Sequence, residues 1–183
     1  MEFQSGDIIA IRGSGWLPDN ICKATHSEVS HVGLVIGTSP TIVIEALWRV
    51  KTNPIAVTIN NAEKVWCIRY PNLTDKNRVD LVQAALKFSA DDYGGFDLVL
   101  QLADAAFKTK WFTENIGKTF LNHFPICSFL VAAAYRQIGI TFSSTDWSVT
   151  PSDIMNFALL NKFLVQRSYI NELDRMDKMV LQH

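Results

Sequence analysis

Ser30-His31-Val32-Gly33-Leu34-Val35-Ile36-Gly37, a turn at Ser39-Pro40, and then Thr41-Ile42-Val43-Ile44-Glu45-Ala46 decide how this chain is read. Both apolar runs are rich in β-branched residues and short enough for strands, and the link between them is a turn signal, so they predict a β-hairpin. A short hairpin brings residues on its two arms side by side. That places His31, at the mouth of the first strand, next to Glu45 on the second. Gly33 follows closely and leaves little crowding around the imidazole.

Working outward, further strands are expected on either side. Asp7-Ile8-Ile9-Ala10-Ile11-Arg12 follows Gly6 and stops at Gly13-Ser14-Gly15. Residues 55–59 and 65–70 read as two more, with Val65, Cys67 and Arg69 on one face and Trp66, Ile68 and Tyr70 on the other. Residues 16–25 form a short helix or a loop over the sheet. Beyond residue 73 the pattern turns helical. Thr74 is an N-cap for a helix to about Ser89, with Val79, Val82 and Leu86 at helical spacing. After the break at Gly94-Gly95 a second helix begins near Phe96. A third begins near Cys127 and ends before Gly139, with Phe129, Leu130, Ala133 and Ala134 as its apolar face. Thr150-Pro151 caps a last short helix. Strands first and helices after predict an α+β domain.

The 183 residues suit one domain, and 48% hydrophobic against 19% charged residues is a globular composition. The net charge of -1, with basic residues scattered, marks no nucleic-acid groove. No basic stretch followed by an apolar core opens the chain, and no apolar run approaches the roughly 18 residues of a membrane span. The expected location is therefore cytoplasmic, with no integral membrane span. Three cysteines, Cys22, Cys67 and Cys127, do not make a disulfide framework. There is no phosphate-cradling loop and no dinucleotide fingerprint, so no cofactor is expected.

The chemistry converges on Cys127. At a helix start, backbone N–H groups and the helix dipole favour an anion, which pushes a thiol toward thiolate and offers donors to an oxyanion. A thiolate needs a proton partner with a pKa near neutrality. Of His26, His31, His123 and His183, His31 is the best placed, and Glu45 beside it would orient the ring. Each residue also has a plainer reading: Cys127 as packing, His31 as a structural histidine, Glu45 as an edge-strand surface residue, and Cys22 and Cys67 as core thiols. A zinc site from Cys22, His26, His31 and Cys127 is a further reading, but its spacing matches no common pattern, and no metal is expected. Asp91-Asp92 is an adjacent acidic pair whose side chains would point apart.

Taken in order, Gly6-Asp7-Ile8-Ile9, Ser30-His31-Val32-Gly33-Leu34-Val35, Val43-Ile44-Glu45-Ala46, Asp92-Tyr93-Gly94-Gly95-Phe96-Asp97, Ile126-Cys127-Ser128-Phe129-Leu130-Val131 and Thr150-Pro151-Ser152-Asp153 resemble the circularly permuted papain-fold hydrolases. These are the permuted branch of the NlpC-type superfamily, also called YiiX/YaeF-like. The resemblance covers about residues 5–155. It implies a papain-like core in permuted order, an antiparallel sheet or barrel carrying His and Glu, packed on the helix that carries Cys, in one domain over residues 1–183. It further implies Cys127 as nucleophile, His31 as general base and acid, Glu45 as orienting acid, and Tyr93 near the site as a substrate or oxyanion contact. Ser30 and Ser128 flank the two reactive residues as candidate substrate contacts. The family usually carries Glu two residues after the cysteine, where this chain has Phe129. That position lies about 200° round the helix from the nucleophile, so a change of packing is expected there.

The activity this implies is that of a cysteine peptidase or amidase acting on a peptide or amide through an acyl-enzyme. Two alternatives stand beside it. One is a lipid-directed thioesterase or acyltransferase acting on an acyl ester, with Phe107, Trp111, Phe112, Phe120 and Phe124 walling an acyl channel. The other is a catalytically inactive binding module of the same fold.

Overall fold

The computed structural model describes residues 2–46, 50–90, 126–144 and 149–168. Six strands form one antiparallel sheet: β1 (Ile8–Gly13), β2 (His31–Thr38), β3 (Thr41–Ala46), β4 (Val50–Pro54), β5 (Ala62–Arg69) and β6 (Leu164–Ser168), in the order β4-β3-β2-β1-β5-β6. Short helices α1 (Trp16–Ala24) and α2 (Ile55–Thr58) lie between strands, and α3 (Asp75–Ala90), α4 (Ile126–Arg136) and α5 (Pro151–Leu160) follow β5. The fold is α+β, as the sequence predicts. The second helix expected near Phe96 lies outside the described residues.

Alternation along the strands sorts the interior into two clusters. Ile8, Ala10, Val32, Leu34, Ile44, Trp66 and Ile68 face a large core with Leu81 of α3, Cys127, Leu130 and Tyr135 of α4, and Ile154 of α5. Ile9, Ile11, Val35, Val43, Val65 and Cys67 face a smaller one, closed by Phe3, Ile55 and Ile59. The two-sided reading of residues 65–70 holds.

Several expectations are corrected. Residues 55–59 are not a strand. Ile55 and Ile59 are buried while Val57 is 59% exposed, an i, i+4 pattern, and the segment turns helically after Pro54. The strand in that region is β4, just before it. In α3 the buried residues are Leu81, Ala84 and Ala85, whereas Val79 and Leu86 are exposed. The inward face is therefore rotated from the predicted one. Thr74 does cap this helix, accepting from the Asn77 N–H at 3.2 Å. Past residue 155, β6 adds a strand the sequence reading did not assign.

Helix α5 starts as predicted. The Thr150 side chain accepts from the Asp153 N–H, the Asp153 carboxylate accepts from the Thr150 N–H, and Pro151 fills the first turn. Helix α4 ends at Arg136, before Gly139, whose φ of +82° is left-handed backbone that glycine adopts without strain. Nearly every side of α4 is buried. Tyr135, fully buried, donates its hydroxyl to the Gly6 carbonyl at 2.6 Å and so fastens the helix to the entry of β1. Phe129 meets Phe88 of α3 edge-on, ring centroids 5.7 Å apart. The residue that departs from the family pattern is thus a helix–helix packing residue.

Beneath β1 lies a buried ion pair. Asp7, fully buried, accepts from Arg69 Nε at 2.8 Å and from an Arg69 terminal nitrogen at 2.6 Å. It also accepts from the Gln4 N–H at 2.8 Å and the Cys67 thiol at 3.6 Å. Burial, with Asp7 adjacent, pushes the Cys67 thiol far above its ordinary range. Cys67 is an inert core thiol.

Candidate active site

The hairpin of β2 and β3 pairs Gly33 with Glu45 and Val35 with Val43, and a bulge intervenes before Gly37 pairs with Ile42. His31 is therefore not directly opposite Glu45. It lies diagonally, two residues beyond the partner position on the same face, within reach of a long side chain. His31 Nε2 and Glu45 Oε2 are 2.7 Å apart. Gly33 makes this diagonal possible. A Cβ there would fall 2.6 Å from Val43 Cγ1, 3.2 Å from the Ile44 carbonyl oxygen and 3.4 Å from Glu45 Cβ. Gly33→Ala is expected to cost about 1–3 kcal/mol through overpacking and to displace Glu45. Chemical denaturation of the variant checks the first effect. An unchanged midpoint would contradict this contact geometry.

Glu45 is only 4% exposed, so its charge needs partners. Besides His31 it has two that the sequence reading left aside. Its Oε1 accepts from Asn53 Nδ2 at 2.8 Å and from Thr58 Oγ1 at 3.0 Å. Asn53 lies on β4, where Lys51 pairs with Glu45, so it is the diagonal neighbour on the other flank. Burial alone would raise the Glu45 carboxyl, but the bond to His31, its charge and the two donors hold it below the ordinary carboxylate range. Finding Asn53 and Thr58 required β4 and α2, and the sequence reading had assigned neither.

Cys127 is the second residue of α4 and is 1% exposed. Burial by itself would push the thiol up. The positive charge of His31 and a hydrogen bond to it, together with the main-chain N–H groups of Val32 and Ser128, bring it below its ordinary value instead. The converse holds for His31. Burial would depress it, but the Cys127 charge, a bond to that thiolate and the bond to Glu45 raise it to about 10. Because Nε2 is bonded to Glu45, Nδ1 is the ring nitrogen left for Cys127. The two groups thus support each other's charged forms, lowering the thiol and raising the imidazole, with a buried carboxylate behind them.

The other candidates fare differently. The Ser30 hydroxyl accepts from the Gly13 N–H at 2.9 Å and donates to the Ile11 carbonyl at 3.2 Å, which ties the ends of β1 and β2 together. The Ser128 hydroxyl donates to the Val149 carbonyl. Both side chains are committed inside the fold, and Ser128 reaches the thiol only through its main chain. Tyr93, Asp91, Asp92, His123, His183 and the aromatic residues 107–124 lie outside the described residues.

No protein-family model matches the chain, and no curated protein does either. Among solved structures, the crystal structure of metalloprotein yiiX from Escherichia coli O157:H7 (DUF1105) is 23% identical over 79% of this chain and 71% of that one, with a TM-score of 0.56. The two proteins share a fold. The likeness extends to chain architecture alone, and "metalloprotein" describes yiiX. In this chain Cys22 and His26 line an open surface depression with Arg12, Asp19, Lys23 and Glu28, whereas His31 is engaged by Glu45 and Cys127. Among the described residues no three His, Cys, Asp or Glu side chains are grouped to hold a metal ion. The described donor set does not fit one, and the four-ligand zinc reading is not assembled. No helix among the described residues is long and apolar enough to cross a membrane.

Proposed function

We propose that this protein is a cysteine hydrolase of permuted papain-like type, acting on an amide bond through Cys127, His31 and Glu45. One geometry carries the reading: a buried thiol in the first turn of a helix is bonded to an imidazole whose far nitrogen lies 2.7 Å from a buried carboxylate, and the thiol pKa is lowered in spite of burial. A packing cysteine or a structural histidine has no need of that arrangement. The chain order, with the His- and Glu-bearing sheet before the Cys-bearing helix, supports the permuted form.

In the resting pair the proton already sits on His31. The Cys127 sulfur attacks the carbonyl carbon, and the oxyanion collapses as the C–N bond breaks. His31 gives its proton to the departing amine. Water then adds to the thioester, losing a proton to His31, and the acid leaves as the C–S bond breaks and returns the Cys127 thiolate. The first-turn N–H groups of α4 offer donors to the developing oxyanion. Tyr93 is carried as a substrate contact by resemblance alone, and the lipid-directed alternative rests on aromatic residues outside the described set.

The pair sets a pH window. Because the Cys127 pKa is lowered, thiolate persists below the pH at which an ordinary thiol ionises. Because the His31 pKa is raised, imidazolium persists until about pH 10. A bell is expected, with apparent values belonging to the pair. The ultraviolet absorbance of thiolate against pH, taken as the difference between wild type and Cys127→Ala, measures the acid limb without requiring access to the buried sulfur, and the His31 ring NMR shifts follow the alkaline limb. His31→Ala is expected to move the acid limb upward, since only the main-chain N–H groups of Val32 and Ser128 then oppose burial. If the limb stays in place, the charged pair does not exist and the hydrolase reading fails. If the pair is present but a peptide, amide and acyl-ester panel yields no turnover, the inactive binding module becomes the better account.

A further inference from the structure

We propose that Asn53 and Thr58 are positioning residues that determine the protonation state of the Cys127–His31 pair through Glu45. The inference rests on the catalytic reading above. A glutamate has three side-chain torsions, so a single bond to His31 does not fix which oxygen faces the ring. The Asn53 amide and the Thr58 hydroxyl, at 2.8 and 3.0 Å, both donate to Oε1 and leave Oε2 for His31. They come from opposite sides of the β4–α2 corner, one on the last part of the strand and the other at the end of the helix. That corner therefore exists in part to place two donors on one oxygen. Both hydrogen bonds run to Glu45, so their effect reaches the sulfur by relay.

The direction of the relay follows from charge. Without the two donors a buried carboxylate is less well supported, and Glu45 takes a proton more readily. Imidazolium at His31 then loses its fixed counter-charge and gives up its proton at lower pH. Thiolate at Cys127 in turn loses its cation and forms only at higher pH. The window should close from both sides. A residue that only stabilised the corner would change unfolding and leave both limbs in place.

The test is the thiolate absorbance profile of wild type, Thr58→Val, Thr58→Ser, Asn53→Ala and the double variant Asn53→Ala/Thr58→Val, each against its Cys127→Ala counterpart. His31→Ala serves as the reference for a lost pair. Thr58→Val keeps the shape and removes the donor, while Thr58→Ser keeps the donor. Expected are an upward move of the acid limb in Thr58→Val, a larger move in the double variant and the wild-type limb in Thr58→Ser, while the His31 ring NMR shifts of the same proteins show its alkaline titration moving down in Thr58→Val and further in the double variant. Once a substrate is known, loss of orientation should lower kcat/KM by about 10- to 100-fold in the double variant. Unmoved limbs in Thr58→Val and Asn53→Ala, with a shifted limb in His31→Ala, overturn the positioning role and leave the catalytic reading intact. An unmoved limb in His31→Ala overturns both.

Discussion

Cys127→Ala is expected to lower hydrolysis of a verified substrate by about 10^4- to 10^6-fold, the scale on which losing the nucleophile acts when nucleophile and base work as a unit. His31→Ala should fall in the same range, and the double variant should be little worse than either single one. Cys22→Ala and Cys67→Ala should leave the rate unchanged, because among the described residues neither thiol is paired with an imidazole. Cys22 has its thiol raised by burial and Cys67 lies against Asp7. The measurement is kcat/KM for all five proteins on one substrate, with folding verified by circular dichroism. Full activity in Cys127→Ala would end the mechanism. Additive losses in the double variant would mean that Cys127 and His31 act independently.

The largest expected effect on stability lies away from the thiol. Arg69→Met leaves the fully buried Asp7 carboxylate without its cation, and removing one partner of such a pair costs about 3–5 kcal/mol. A domain stabilised by about 5–15 kcal/mol loses a large share of that. The pair also holds the N-terminal segment, since Arg69 donates to the Glu2 carbonyl at 2.7 Å and Asp7 accepts from Gln4. Urea unfolding should show a much lower midpoint, while Asp7→Asn/Arg69→Met should recover part of the loss because no buried charge remains. A midpoint near wild type for Arg69→Met would mean that water reaches Asp7.

The parts of this architecture legible in the sequence are those where local signal and tertiary environment agree. The β2–β3 hairpin, the alternating faces of β5, the Thr150–Asp153 cap and the stop at Gly139 each follow from nearby residues alone. Residues 55–59 misled because β-branched composition favours a strand, while burial of Ile55 and Ile59 against the second core selects a helical turn. The inward face of α3 was missed because Val79, Val82 and Leu86 share a periodicity with Leu81 and Ala85, and only the packing partner decides between them. Within the site, His31 and Glu45 could be placed together from hairpin logic. The diagonal offset could not, because it depends on the register around the bulge between Val35 and Gly37. Asn53 and Thr58 were out of reach, since their strand and helix had not been recognised.

The attachment of α4 has a consequence for biosynthesis. The imidazole and its carboxylate lie at residues 31 and 45, but the sulfur comes at residue 127, and its helix is fastened by Tyr135 to Gly6, 129 positions earlier in the chain. Because α4 is buried on almost every side, it has no stable resting place until the earlier strands stand ready to receive it. Contacts that span so much chain form late. If Cys127 and His31 act as proposed, a chain lacking α4 carries the base without its nucleophile, and the pair forms only when α4 docks on strands made before it.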